Sequence, residues 1–233
     1  MTRPDGRPRH QQIAADLRAL IMSGDLRGSL PTTHELMETY RVGSPTVQRA
    51  VQVLKDEGFA EGRRGSGVYA VARVAIDSVA YIPPEHGYAY RLLEVAEVVP
   101  PAAVREAFGI APEGSAVMRH RLMTLHDVPV ELSWSYYPMS VAAGTPLTEH
   151  RRIEGGASAL LAQLGLSPST YEERITARLP TTAELEALEL PDDVPVLRQF
   201  RVLYTEDAHP VEATIMVKGG HRYEERVTGQ VHG

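Results

Sequence analysis

The chain contains no cysteine. Disulfides, thiolate metal sites and cysteine nucleophiles are therefore excluded. It also lacks any apolar run near the ~20 residues that span a bilayer, and its first residues, MTRPDGRPRH, have no signal-peptide core. A cytoplasmic location is the expectation that follows. Catalytic punctuation is missing too. The histidines, at 10, 34, 86, 120, 126, 150, 209, 221 and 232, show no i, i+4 pair or other metal-ligand spacing. There is no G-x-S-x-G elbow. Glu172-Glu173 and Asp192-Asp193 are neighbours that face apart in a strand or sit in a turn, so neither reads as an acid/base pair. No metal, no cofactor and no catalytic residue is expected, and an enzyme is the least favoured class.

What is present is an ordinary globular composition, 43% apolar and 23% charged over 233 residues, enough for one large or two ordinary domains. The net charge of −6 is unevenly spread. Residues 1–72 hold 10 Lys+Arg against 8 Asp+Glu, and the remainder holds 14 against 22. The less acidic N-terminal part is compatible with a polyanionic partner.

The stretch 43–58, GSPTVQRAVQVLKDEG, reads as a helix. Ser44 is placed to cap it, Pro45 suits the first helical position, and Gly58 suits the stop. Val47, Ala50, Val51 and Leu54 form an apolar face. The opposite face carries Thr46, Gln48, Arg49, Gln52 and Lys55, which either water or a base edge in a major groove would accept. Upstream, residues 10–22 read as an amphipathic helix ended by Gly24, and T-T-H-E from Thr32 reads as a capping box opening a second short helix. Two helices joined by a tight turn form a helix-turn-helix pattern. Two short strands follow, Phe59–Glu61 and Val68–Val71, around the tip Gly62-Arg63-Arg64-Gly65-Ser66-Gly67. Such a tip is a wing whose arginines and glycines suit a phosphate or a minor-groove floor, or else a solvated hairpin.

The order QQIAADLRALIMSGDL, LPTTHELMETYRV, TVQRAVQVLKDEGF, GRRGSGVYAV resembles the winged helix-turn-helix of GntR-type bacterial transcription regulators across residues 9–71. The resemblance implies a homodimer on double-stranded DNA with a palindromic operator, contacted through Thr33, His34, Ser44, Thr46, Gln48, Arg49, Arg63, Arg64, Ser66 and Gly67. Arginine is usual in the family where His34, Ser44 and Gln48 stand, and glycine where Arg41 stands.

Residues 72–90, with the breaker cluster Ile82-Pro83-Pro84-Glu85-His86-Gly87, read as a linker between domains at 1–71 and 77–233. The second domain contains a repeat. Residues 104–131 align with 183–212, with Arg119 on Arg198 at an offset of 79 and Pro129-Val130-Glu131 on Pro210-Val211-Glu212 at 81. Each copy reads helix, strand, hairpin turn, strand, which predicts an antiparallel sheet with pseudo-two-fold symmetry and helices on one face. Alternation puts Arg119, Arg121 and Met123 on a face, Glu131, Ser133, Ser135 and Tyr137 on another, and Glu212, Thr214, Met216 and Lys218 together. Such polar faces are expected to be the solvent side of a half-buried sheet, with a pocket floor as the alternative. Arg119 and Arg121 would repel unless an anion or Glu131 stands between them, and Arg174 is placed to join them.

The arrangement R-x-R-L, P-V-E, S-Y-Y-P, R-Q-F-R and P-V-E…K-G-G-H-R-Y resembles the UTRA effector-binding domain of the HutC subfamily, a chorismate-lyase-like fold. The whole is then an α+β chain of two domains. The resemblance implies a small-molecule effector, commonly anionic, bound through Arg119, Arg121, Ser133, Ser135, Tyr137, Arg174, Glu212 and Lys218. Lys218 stands where tyrosine is usual, and Gly219 and Met123 where arginine is usual. Three readings follow: a ligand-controlled repressor, a DNA-binding protein whose second domain only dimerises, and an enzyme with a DNA-binding appendage.

Overall fold

The computed structural model describes residues 6–71, 74–76, 88–190, 194–221 and 223–225. They fall into two compact units, one of residues 1–78, 190–194 and 220–233, the other of 79–189 and 195–219. Most of the proline-containing linker, including 82–87, lies outside the described residues. No helix among the described residues is long and apolar enough to cross a membrane.

The first unit begins with α1 (Arg9–Ser23), α2 (Thr33–Tyr40) and α3 (Ser44–Asp56). Ile13, Leu17, Ile21, Leu36, Val47, Ala50, Leu54 and Phe59 meet in one buried core, which explains the helical spacing of these residues. The capping box forms: the Glu35 amide donates to Thr32 Oγ1 at 3.3 Å and the Thr32 amide to Glu35 Oε2 at 2.7 Å. Arg41 ends α2 at φ 51°, ψ 52°. A side chain in that left-handed region costs about 1 kcal/mol that glycine would not. Ser44 does not cap α3. Gly43 is the N-cap, Ser44 is the first helical residue and Pro45 the second, and no side chain accepts from the helix start. The chain enters in extended conformation one residue earlier than the serine's capping preference suggests.

The wing is β1 (Ala60–Arg63) paired antiparallel with β2 (Gly67–Ala70). The turn before α2 adds to it, with the Leu30 amide donating to the Val68 carbonyl at 2.7 Å and the Ala70 amide to Gly28 at 2.8 Å. β3 (Val74–Ile76) runs parallel to β10 (Tyr223–Glu225) within the same unit. Arg18 of α1 holds the far end of α3 through a forked ion pair with Glu57, its Nε donating to Oε2 at 2.8 Å. The same guanidinium lies 5.4 Å from the Phe59 ring centroid.

The second unit is a six-stranded antiparallel sheet in the order β4 (Tyr88–Val98), β5 (Ala116–Leu125), β6 (Val128–Pro138), β9 (Pro210–Gly219), β8 (Val196–Tyr204), β7 (Thr170–Arg178). The order is symmetric about the β6–β9 seam, as the sequence repeat predicts. α4 (Ala102–Phe108) and α7 (Thr182–Ala187) precede equivalent strands. The residue alignment in those strands needs correction. Arg119 pairs with Ser135, which pairs with Thr214, which pairs with Arg201. Arg198 pairs with Val217 on the opposite face, because a shift by an odd number of residues turns a strand over.

Cross-strand register also merges the polar sets. Arg119 faces Ser135, Arg121 faces Ser133 and Met123 faces Glu131, so all share one face with Glu212, Thr214 and Lys218. That face is not the solvent side. Arg119, Glu131, Ser133, Ser135, Glu212, Thr214 and Lys218 are all buried. α5 (Met139–Ala142), a 3-10 turn (Pro146–Thr148) and α6 (Gly156–Gln163) follow β6, and Val141, Leu147, Ile153 and Leu161 form an apolar cluster with Val117 and Tyr137 of this face. Arg119 anchors the connecting segment. Its Nη1 donates to the carbonyls of Leu147 at 2.8 Å and Glu149 at 2.9 Å, with Pro146 at 3.5 Å, and its Nη2 donates to Arg151 at 2.6 Å.

Two stability predictions follow from these anchors. Arg18→Ala leaves Glu57 without its cation and should lower unfolding free energy by about 2 kcal/mol, read from urea denaturation. Arg119→Met removes the donor to four carbonyls and should cost about 2–4 kcal/mol, and Arg119→Lys should recover only part, since an ammonium lacks the planar fork. Unchanged midpoints would show that the apolar clusters alone hold these segments.

Candidate functional site

Two surfaces bring chemistry-bearing residues together, one in each unit. In the first unit, α3 exposes Gln48, Arg49 and Gln52 on one side while Val47, Ala50 and Leu54 are buried on the other. Ser44 and Thr46 are partly exposed at its N-terminal end. Arg49 makes no ion pair or hydrogen bond with the described residues, so its guanidinium stands open. Gln52 is less available, since its amide donates to Asp56 Oδ1 at 2.6 Å. Thr33 and His34 are exposed in the first turn of α2, and His34 Nδ1 stands 3.7 Å from Glu38.

The wing tip is exposed from Glu61 to Gly67. Gly65 and Gly67 have φ of 74° and 104°, which is why this tip needs glycine. The two wing arginines differ. Arg63 Nε donates to Glu61 Oε1 at 3.0 Å and its guanidinium lies 4.3 Å from the Tyr69 ring centroid. Arg64 has no such partner among the described residues. Ser66 Oγ lies 2.9 Å from the Tyr69 hydroxyl, so the tip is braced on that ring.

In the second unit a cavity of about 500 Å³ opens on the polar face of the sheet. Arg119, Arg121, Met123 and Glu212 line it, together with Tyr88, Ala89 and Tyr90 of β4 and Arg152, Ile153, Gly155, Gly156, Ala157 and Ser158. Three of the eight residues expected to bind the effector therefore reach the wall. Ser135 stands behind it, accepting from Arg121 Nη2 at 2.5 Å, and Tyr137 is wholly buried. Burial, with Glu212 nearby, holds the Tyr137 phenol far above its usual range, so it is a neutral hydroxyl. Ser133 and Lys218 share the face but not the wall. Lys218 Nζ is 3.2 Å from Glu131 Oε2 and donates to Gln199 at 2.8 Å.

Arg174 does not join the arginine pair. It lies opposite Phe200 on the edge strand β7, and Phe200 pairs with Ile215 on the other face. Its exposed guanidinium stands over that ring and near Glu172. Nor does Glu131 separate Arg119 from Arg121, because Lys218 takes it. Arg119 is surrounded by carbonyl oxygens, and burial lowers its pKa from the ordinary arginine value. Arg121 is less fully satisfied: its Nη2 donates to Ser135, and its Nε is buried with no hydrogen-bond partner among the described residues.

The segment 155–158 went unnoticed in sequence. Gly155 and Gly156 take φ of 71° and 82° in succession and turn the chain into α6 with no capping side chain. The Gly156 amide donates to the Ile153 carbonyl at 3.1 Å, and the next two amides of α6, of Ala157 and Ser158, lack intrahelical acceptors and border the cavity, an arrangement that suits an anion. A Gly-Gly pair before an apolar helical run was the available signal. Tyr88 and Tyr90 were missed because they sit inside the stretch read as linker. Among the described residues no group of three or more His, Asp or Glu gathers to hold a metal.

Comparison with known proteins finds a family match in each half of the chain. Residues 9–70 match the model of the gntR family of bacterial regulatory proteins, and residues 85–224 match the UTRA domain. An uncharacterised HTH-type transcriptional regulator of Streptomyces coelicolor is 30% identical, over 93% of this chain and 90% of its own length. The transcriptional regulator PhnF of Escherichia coli is 27% identical, over 84% of this chain and 85% of its own. The crystal structure of PhnF from Mycobacterium smegmatis shares the fold at a TM-score of 0.58 and 19% identity, covering 94% of this chain and 100% of that one. The chain is thus a DNA-binding transcriptional regulator that belongs to the GntR family, in the HutC-type branch joining a winged helix-turn-helix to a UTRA domain.

Proposed function

We propose that this regulator is a homodimeric repressor that binds a palindromic operator and is controlled by a small effector with an anionic group, bound in the cavity on the sheet. The observation that carries the effector reading is Arg121, with a buried Nε lacking a partner, beside the Ala157 and Ser158 amides of α6 at the edge of the same cavity. Unmet donors in a shared wall are complementary to an anion. Effector and operator then compete through the equilibrium between two arrangements. Shifting that equilibrium from 1:99 to 99:1 needs a differential affinity of roughly 10⁴. No catalytic step is part of this reading.

On the DNA side, α3 enters the major groove and the wing lies along the backbone. With Ser44 and Gln48 at its tip in place of two arginines, α3 reads through Gln48, suited to adenine, and Arg49. Thr33, His34 and Thr46 border the same surface, and Ser66 and Gly67 bring the wing backbone close to the phosphates.

Operator affinity should separate the arginines. Arg49→Ala and Arg64→Ala should each reduce the slope of log K against log salt by about one. Arg63→Ala should change it less, because Glu61 and Tyr69 already hold that guanidinium. Equal slopes for all three would remove the distinction. For the effector, an operator recovered by genomic footprinting is titrated by fluorescence anisotropy with cell metabolites present. Arg121→Ala should lose the ligand response while still binding the operator. A retained response would move the site elsewhere, and no response in the parent protein would favour a second unit that only dimerises.

A further inference from the structure

The cavity wall carries three arginines, Arg119, Arg121 and Arg152, and one carboxylate, Glu212, and the protein keeps Arg121 and Glu212 apart. Arg121 Nη2 donates to Ser135 Oγ at 2.5 Å, Ser135 Oγ lies 2.9 Å from Thr214 Oγ1, and Thr214 Oγ1 donates to Glu212 Oε1 at 2.8 Å. The proton directions in this relay are forced. Thr214 has one hydroxyl hydrogen and gives it to the carboxylate, so Ser135 donates to Thr214 and accepts from Arg121. The guanidinium is tied to one end and the carboxylate to the other, with at most roughly 8 Å between Nη2 and Oε1.

Elsewhere on this face buried charges neutralise one another directly. Lys218 meets Glu131 at 3.2 Å, and Arg201 meets Glu173 at 2.6 Å. Glu212 is the exception: it is buried, and no ion pair to it forms among the described residues. A buried carboxylate without a cation is costly, and so is a buried guanidinium with unmet donors. Both costs fall in the same cavity, and one occupant of opposite polarity relieves both. Arg119 adds a positive charge to the wall, but its Nη1 and Nη2 donate to four carbonyls, and Arg152 adds another from over the Tyr90 ring, so Glu212 is the one carboxylate of the wall. Met123 adds no charge.

We propose that the effector is a small zwitterion, an α-amino acid or a close relative. Its carboxylate meets Arg121 and the Ala157 and Ser158 amides of α6, its ammonium meets Glu212, and its body lies against Tyr88, Tyr90 and Ile153. This rests on the effector reading of the cavity and narrows it. Carboxylate and ammonium on the same or adjacent carbons fit between charges held by two intervening hydroxyls. A sugar phosphate could meet Arg121 and Arg152 but brings no cation to Glu212.

The test is a thermal-shift and calorimetric series on the full-length protein. The probes are the twenty standard amino acids, their N-acetyl and amide derivatives, and glucose 6-phosphate. At least one amino acid should raise the unfolding midpoint by several degrees at millimolar concentration. Its N-acetyl form, which lacks the ammonium, and its amide, which lacks the carboxylate, should each bind at least about tenfold more weakly to the unaltered protein. Glu212→Gln should weaken the amino acid by a similar factor. If glucose 6-phosphate or an N-acetyl derivative binds the parent and Glu212→Gln equally well, the zwitterion is overturned and the anionic-effector reading stands. Absence of a shift with every amino acid overturns the zwitterion whatever the anions do. Equal binding of those anions to parent and Arg121→Ala overturns the underlying reading of the site as well.

Discussion

One guanidinium organises the second unit. Arg119 rises from the buried face of β5 and gathers carbonyls from residues 146, 147, 149 and 151. A loop that turns several carbonyls inward needs donors, and water has little room there. The arginine supplies them from the sheet, so the 3-10 turn, the loop and the entry to α6 are held against the strands. The wall opposite Arg121 exists because of that attachment. The same attachment divides the labour between two arginines that look alike in sequence. One is structural, saturated by carbonyl oxygens, and the other keeps donors for a ligand.

The polar face of the sheet is buried, as the apolar face is. Its charges are managed in pairs, Lys218 with Glu131 and Arg201 with Glu173, with Gln199 bonded to Lys218. Pairing of this kind makes burial of ionised groups tolerable, although it adds little net stability. It also leaves the site legible, because Arg121 and Glu212, neither of them in a direct ion pair among the described residues, stand at the ends of one hydroxyl relay. Ser135 and Thr214, at the middle of that relay, face each other across the β6–β9 seam, 79 residues apart in sequence. The internal repeat thus places its own seam beneath the cavity.

In the first unit the departures from the family pattern have separate physical consequences. Arg41 occupies a left-handed turn position at a modest energetic cost, and the helix-turn-helix keeps its geometry. Ser44 and Gln48 instead change what α3 can read, because they remove positive charge without disturbing the buried face formed by Val47, Ala50 and Leu54. The ion pair of Arg18 with Glu57 fixes the other end of α3, so the reading surface is held from both sides of the helix.

The sequence by itself determined the local elements and the family. Helical spacing marked the core of the winged helix, the T-T-H-E box marked the start of α2, and the repeat of helix-strand-hairpin units foretold a symmetric antiparallel sheet. These are properties of chain-local periodicity and turn chemistry, so they survive without a tertiary context. Tertiary structure alone decided that the polar face of that sheet is buried as well as the apolar one. Alternation gives two faces but not their surroundings, and only the layer of α5 and α6 made the polar one interior. Register decided the rest: an odd-residue slip separates Arg198 from Arg119, places Arg174 on the far face, and sends Lys218 to Glu131. The contrast between Arg119 and Arg121 depends on carbonyls about 30 residues away in sequence, brought to one side chain and not the other. No local pattern records that contact, and it separates the structural arginine from the one left open to a ligand.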